Sequence, residues 1–174
     1  MGLVKRVFNY WNAELTAADL SFIHSFLDEP GQFLFFQMSR IDQLHALSVA
    51  RIIFEEAADL SQRDKIQAVK AALLHDIGKV DGDFSFWSRI LVGFIRRIQP
   101  TLRGRFARYH RHSVWGKVRY SFYVDLVHPA RGAHMAKIFG IDATVVEIIR
   151  RHHDPLRAEG NTPLSWLQLA DNRN

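Results

Sequence analysis

The chain is 174 residues long, 48% hydrophobic and 24% charged, and it contains no cysteine. That describes one ordinary globular domain rather than a disordered polymer, and it excludes disulfides, thiolate zinc sites, iron–sulfur clusters and a cysteine nucleophile. The net charge of +5 is the property of one stretch: Arg89 to Arg119 holds nine Lys/Arg and no acid, while the remainder sums to −4.

Helix punctuation runs through the whole chain. Thr16-Ala-Ala-Asp19 reads as a capping box ahead of Leu20, Ile23, Phe26 and Leu27, with Glu29-Pro30-Gly31 as the break. A long apolar pattern follows from Phe33 to about Ala58, with Ile41, Val49 and Ile52 on one face. Ser61 to Asp64 reads as a second capping box, opening a helix that carries Ile66, Val69 and Leu73 and stops at Gly78. The stretch from Phe84 to Ile95 is apolar, interrupted at Ser88-Arg89, and Gln99-Pro100, Gly104 and Gly116 cut the basic stretch into short pieces. His128-Pro129 reads as the start of a helix that Gly140 ends. Asp142 caps the next, which Pro155 stops, and Thr162-Pro163 opens the last. No alternating strand pattern is visible, so the predicted fold is all-α, a compact helical bundle. No apolar run approaches the ~18 residues of a membrane span, and the N-terminus lacks a signal-peptide layout. The expectation is a cytoplasmic, non-spanning protein.

Several ionisable residues fall where apolar ones belong. His45 lies four after Ile41 and four before Val49, and so faces the core. Asp76 follows Val69 by seven and Leu73 by three, while His75 shares a face with Ala68, Ala71 and Ala72. Asp171 follows Leu164 by seven and Leu167 by four. His152 and His153 stand in the same relation to two neighbouring stripes, and periodicity does not choose between them. One inward histidine is ordinarily a hydrogen-bonded core residue. Inward aspartates are different, because a buried carboxylate without a partner costs several kcal/mol. A polar core remains the alternative, but a divalent cation would satisfy the whole set. Imidazole and carboxylate donors suit Fe, Mn, Zn, Co or Ni, with Mg less suited to so many histidines.

The ordered set His45, then Leu74-His75-Asp76-Ile77-Gly78-Lys79, then Asp171 after Leu169-Ala170 resembles the HD superfamily of metal-dependent phosphohydrolases. His128-Pro129-Ala130-Arg131, followed by Ile148 to His153, resembles the extra histidines of members that bind two metals. The resemblance runs from about Phe33 to Asp171 and implies an all-α bundle forming a single HD-type domain over 1–174. Residues 1–32 would be an N-terminal helical extension, and residues 84–125 a basic, aromatic-rich insertion. It implies that His45, His75, Asp76 and Asp171 hold a first metal, with Asp76 bridging to a second held by His128 and His152. His153 would be an outer or alternative ligand near the substrate. The order of histidines is similar to a bacterial dinucleoside-polyphosphate hydrolase branch, which favours His152 over His153. Lys79 would meet a phosphate oxygen and, with Asp76, serve catalysis, while Arg131 would bind substrate. Asp154-Pro155-Leu156-Arg157 stands where cyclic-dinucleotide phosphodiesterases carry a glycine-tyrosine-proline signature. The acidic pair of guanosine-tetraphosphate hydrolases is echoed only by Val80 to Asp83.

The activity so implied is hydrolysis of a phosphate ester or anhydride of a nucleotide or related small molecule, using one or two divalent metals to activate water. The alternative is a non-catalytic metal- or nucleotide-binding regulatory module of the same fold. Three readings of residues 89–119 remain open: a solvated face, an arm gathering anionic substrate or nucleic acid, and an interfacial membrane contact. His24 and His134 fall off the inward stripes and read as surface residues. His110 and His112, two apart, do not share a helix face and make no site.

Overall fold

A computed structural model describes residues 13–99, 102–155 and 161–174, without the side chain of Arg97. Its first organising feature is capping. Nine helices occur among the described residues: α1 Ala17–Phe26, α2 Glu29–Phe36, α3 Arg40–Glu56, α4 Gln62–Leu74, α5 Phe86–Ile98, α6 Leu102–Phe106, α7 Val114–Ile138, α8 Ala143–Arg151 and α9 Pro163–Arg173. All but α6 begin on a Ser, Thr or Asp whose side-chain oxygen accepts a first-turn backbone N–H. The Thr16 box is reciprocal. At Ser61 only half of the box forms, because Asp64 accepts the Ser61 hydroxyl instead of its backbone N–H. The all-α expectation holds: among the described residues the extended pairing is one isolated bridge, Met38 with Val80.

Several boundaries differ from the sequence reading. Glu29-Pro30-Gly31 is the first turn of α2, capped by Asp28, where proline's missing N–H has no helical partner to lose. The apolar run from Phe33 divides at Gln37 to Ser39, because Ser39 caps α3 and Met38 is drawn into its bridge with Val80. Ser88 does not interrupt a helix but opens one, its hydroxyl accepting the Ser85 N–H in a reciprocal box. Finally, α7 does not begin at His128-Pro129; it runs through Pro129 from Val114.

Helix α4 is the hub. It packs against α1, α2, α3, α8 and α9, and Ala68, Val69, Ala71, Ala72, Leu73 and Leu74 are wholly buried on it. A helix surrounded on most sides loses the polar face of a surface helix. Residues 84–125 fold as α5, α6 and the first half of α7, which pack on one another, while the second half of α7 lies on α8. Three cations of 89–119 take partners from outside it. Buried Asp42, Asp83 and Asp125, all outside that stretch, pair with Arg89, Arg111 and Arg103. Of residues 1–32, the structure describes those from 13 on, as α1 and the start of α2; residues 1–12 lie outside the described part. No described helix is long and apolar enough to cross a membrane.

Candidate metal centre

Five histidines form one contiguous group. Ring centroids are 5.4 Å apart for His45 and His75, 5.1 Å for His75 and His152, 5.1 Å for His128 and His152, and 4.7 Å for His128 and His153. The helices deliver them separately: His45 from the middle of α3, His75 at the C-cap of α4, His128 within α7, and His152 at the C-cap of α8 with His153 beside it. Asp171 comes from the last turns of α9, one turn beyond the wholly buried Leu167. Gln168 of α9 donates to Asp154 O at 2.9 Å, tying the His152-His153 turn to the helix that carries Asp171.

Three of these rings are oriented by the same device. His75 Nδ1 lies 2.8 Å from Ala72 O, and His152 Nδ1 lies 2.7 Å from Ile149 O. Both carbonyls belong to the final turn of their helix, where no backbone N–H follows. His128 Nδ1 lies 2.9 Å from Asp125 O. That carbonyl is mid-helix, but its partner four residues on would be Pro129, which has no N–H. The histidine ring replaces the donor that proline lacks, which is how α7 carries a proline in its interior. A carbonyl only accepts, so each Nδ1 bears a proton and each Nε2 is turned toward the centre.

The possible ligand atoms fall into two groups of three. Those of His45, His75 and Asp171 lie within 4.8 Å of one another, as do those of His128, His152 and His153. Asp76, 1% exposed, sits between the groups, with Oδ2 3.6 Å from His75 Nε2 and Oδ1 3.3 Å from His128 Nε2. Lys79 Nζ is 2.7 Å from both Asp76 oxygens. Only its bond to Oδ2 has hydrogen-bonding geometry, and Oδ1 is buried without a hydrogen-bond partner. Asp171 Oδ1 lies 2.9 Å from His45 Nε2.

Titration follows from burial and neighbours. Burial alone would raise Asp76, but the Lys79 ammonium and the adjacent histidines outweigh it and hold its carboxyl well below the usual range. Asp171 is held low in the same way, with His45 as the main opposing partner. Burial pushes His128 down, helped by Lys79. It pushes His152 well down, helped by His128 and His75. Two neutral rings whose Nε2 atoms lie only 3.2 Å apart thus aim lone pair at lone pair. That arrangement, next to an unpartnered carboxylate oxygen, fits a shared electrophile. Imidazole nitrogen with carboxylate oxygen is a donor set for Fe, Mn, Zn, Co or Ni, and the second-atom anchors on Nδ1 are the support such ligands ordinarily have.

The cleft over the centre is lined by His45, Asp76, Lys79, His153 and Asp171, with Arg89, Val92, Gly93 and Arg96 of α5 as one wall and Ile41 and Phe84 beside them. Arg131 is not brought to this cleft. Its guanidinium is committed to Asp83 at 2.7 Å, and Arg111 closes on the same carboxylate from the other side at 2.5 Å. Asp83 is therefore an ion-pair hub, not half of an acidic catalytic pair. The cations that do reach the cleft besides Lys79 are Arg89, stacked over Phe84 and paired with Asp42, and Arg96, 3.9 Å from Asp125. Their spacing on α5, with Val92 and Gly93, is one helical face, a signal present in the sequence. His24, His134, His110 and His112 are exposed and apart from the centre.

The family model for the HD domain matches residues 44–173, from the histidine of α3 past the aspartate of α9. The chain belongs to the HD domain family, whose members are typically metal-dependent phosphohydrolases acting on phosphate esters. No curated protein and no solved structure matches the chain.

Proposed function

We propose that the protein is a metal-dependent phosphohydrolase that cleaves a phosphate ester or anhydride of a nucleotide or related small molecule. The observation that carries the reading is the pair of three-donor groups with the unpartnered Asp76 Oδ1 between them. His45, His75 and Asp171 would hold one divalent ion, His128, His152 and His153 a second, and Asp76 would serve both. Ions held there supply Lewis acidity, acidifying water and neutralising phosphoryl charge.

The chain's own residues do the positioning. The Nδ1 anchors on Ala72, Asp125 and Ile149 hold three imidazoles rigid, so no ring reorganises during turnover. Lys79, buried beside Asp76, and Arg96, at the mouth, supply cations to the non-bridging oxygens. Ile41, Phe84 and Val92 give the rest of the substrate an apolar wall. Phosphoryl transfer asks for little more than this placement and charge.

The test is a panel of mono-, di-, cyclic and dinucleoside phosphates assayed with Mn²⁺ against wild type and Asp76→Asn. Turnover of at least one member, lost in Asp76→Asn, is the expected result. Metal retention with no turnover of any phosphate ester would favour the regulatory binding module instead.

A further inference from the structure

Helix α5 has two faces with unrelated surroundings. Arg89, Val92, Gly93 and Arg96 line the cleft. On the opposite side, Trp87, Leu91, Phe94 and Ile98 follow one another at helical spacing and are 76%, 37%, 57% and 60% exposed. Four large apolar side chains in one stripe are not the scattered exposure of an ordinary surface. The first turns of α5 and α7 flank one cavity through Ser85, Ser88, Val114 and Lys117. On that turn of α7, Val114 and Trp115 are 83% and 59% exposed.

The accessible charge in this part of the chain is mostly positive, with Asp81 ahead of α5 as an exposed acid. Arg105, Arg108 and Lys117 are exposed, and the chain from 89 to 119 contains no acid. The acids that approach from elsewhere, Asp42, Asp83 and Asp125, are buried and already paired with arginine. An apolar stripe with tryptophan at one end and accessible charge that is predominantly positive complements the surface of an anionic bilayer. Tryptophan is suited to the boundary between headgroup and acyl chain.

We propose that α5 docks the protein onto membrane surfaces carrying anionic phospholipid headgroups, lying in the interface with Trp87, Leu91, Phe94 and Ile98 inserted and Arg105, Arg108 and Lys117 on the phosphates. A second copy of the chain fits the stripe less well, since a two-fold contact sets these cations against themselves. Residues 1–12 carry Lys5 and Arg6 and no acid, so they too bring the wrong charge. A nucleic acid would use the cations but gains nothing from a dehydrated Leu91 and Ile98, which neither stack nor hydrogen-bond.

The experiment is co-sedimentation of the full chain with vesicles of phosphatidylcholine and phosphatidylglycerol in equal parts, against pure phosphatidylcholine, at low and high salt. Wild type is expected to bind the anionic vesicles, and to bind them less at high salt. The double variant Trp87→Ser/Phe94→Ser should lower the partition coefficient on the order of a hundredfold. Arg105→Gln/Arg108→Gln should lower it roughly thirtyfold, at about 1 kcal/mol per cation. Both pairs are exposed, so unchanged helical circular dichroism confirms that folding is intact. Failure of the wild-type chain to bind anionic vesicles overturns the proposal, as does binding that Trp87→Ser/Phe94→Ser leaves intact. Three other results also overturn it: a dimer sensitive to that variant with no vesicle binding, vesicle binding only after removal of residues 1–12, and displacement from vesicles by single-stranded RNA held through the arginines alone.

Discussion

Replacing Gly78 by alanine probes the seam on which the centre depends. Gly78 is not there for backbone freedom, since the positive-φ glycines among the described residues are Gly82 and Gly140. It is there for space. A Cβ on Gly78 would lie 2.1 Å from His128 O and 2.8 Å from His128 C and Cα, against a practical floor of 3.0 Å. The contact is backbone, so no side chain can rotate away; α7 and the loop must part by about 0.9 Å. The loop has little freedom to yield, because Lys79 N donates to Asp76 O at 2.8 Å and Val80 is bridged to Met38. Across the same seam, a Cβ on Gly132 would come within 3.1 Å of Gly78 N.

Such overpacking costs ~1–3 kcal/mol, which lowers Tm by about 2–4 °C per kcal/mol in a chain of this size. The retreat carries His128 away from Asp76, where Nε2 and Oδ1 are now 3.3 Å apart. His45 and Asp171 sit on α3 and α9 and His75 caps α4, so none of the three lies on α7. The expected result for Gly78→Ala is therefore selective. Calorimetry of the metal-free protein shows a Tm several degrees lower, and metal analysis after equilibration with Mn²⁺ shows loss of the ion at His128 with retention of the other. An unchanged Tm with two ions bound would refute the close-approach reasoning.

Pro129→Ala restores a backbone N–H to Asp125 O and competes with His128 Nδ1. Stability should rise by about 1–3 kcal/mol while Mn²⁺ affinity at the second group falls on the order of tenfold, both read by titration calorimetry and thermal melts. His152→Ala removes a buried, anchored ring and should cost about 2 kcal/mol with loss of an ion. Exposed His153→Ala should stay within ~0.5 kcal/mol, and the reverse order in urea melts would show that the two neighbours have exchanged roles. In the metal-free protein, His128 and His152 are held neutral when folded but protonate when unfolded below about pH 6.5. The unfolded state then binds more protons, so stability should fall as pH drops below ~6.5, by up to ~1.4 kcal/mol per pH unit for each ring. The depressed Asp76 and Asp171 add their loss only below about pH 4. A urea midpoint flat from about pH 7 to 5 would contradict the neutral assignment.

Stripe periodicity was enough to place His45, Asp76 and Asp171 inward, because each lies within or just past a regular helix whose apolar face is buried. It failed for His152 and His153 for a physical reason: α8 ends at Arg151, and in the turn that follows both rings reach the same group. His128 lay on no stripe and was legible only through the family resemblance. Proline suggested a helix start there, whereas the His128 ring itself satisfies the carbonyl that Pro129 leaves open. The glycine of Leu74 to Lys79 looked like a helix stop, although α4 already ends at Leu74 and Gly78 answers to the backbone of α7. Charge partners were the least legible. A run of nine cations shows no sign that Asp42, Asp83 and Asp125 will arrive from distant turns, or that Asp83 will take Arg131 away from the cleft.

Anomalous diffraction from crystals grown with Mn²⁺ shows most directly where metal sits. Two peaks per chain are expected, one among His45, His75 and Asp171 and the other among His128, His152 and His153, with Asp76 in contact with both. No peak in either group, or peaks that leave Asp76 Oδ1 without a partner, would contradict the assignment.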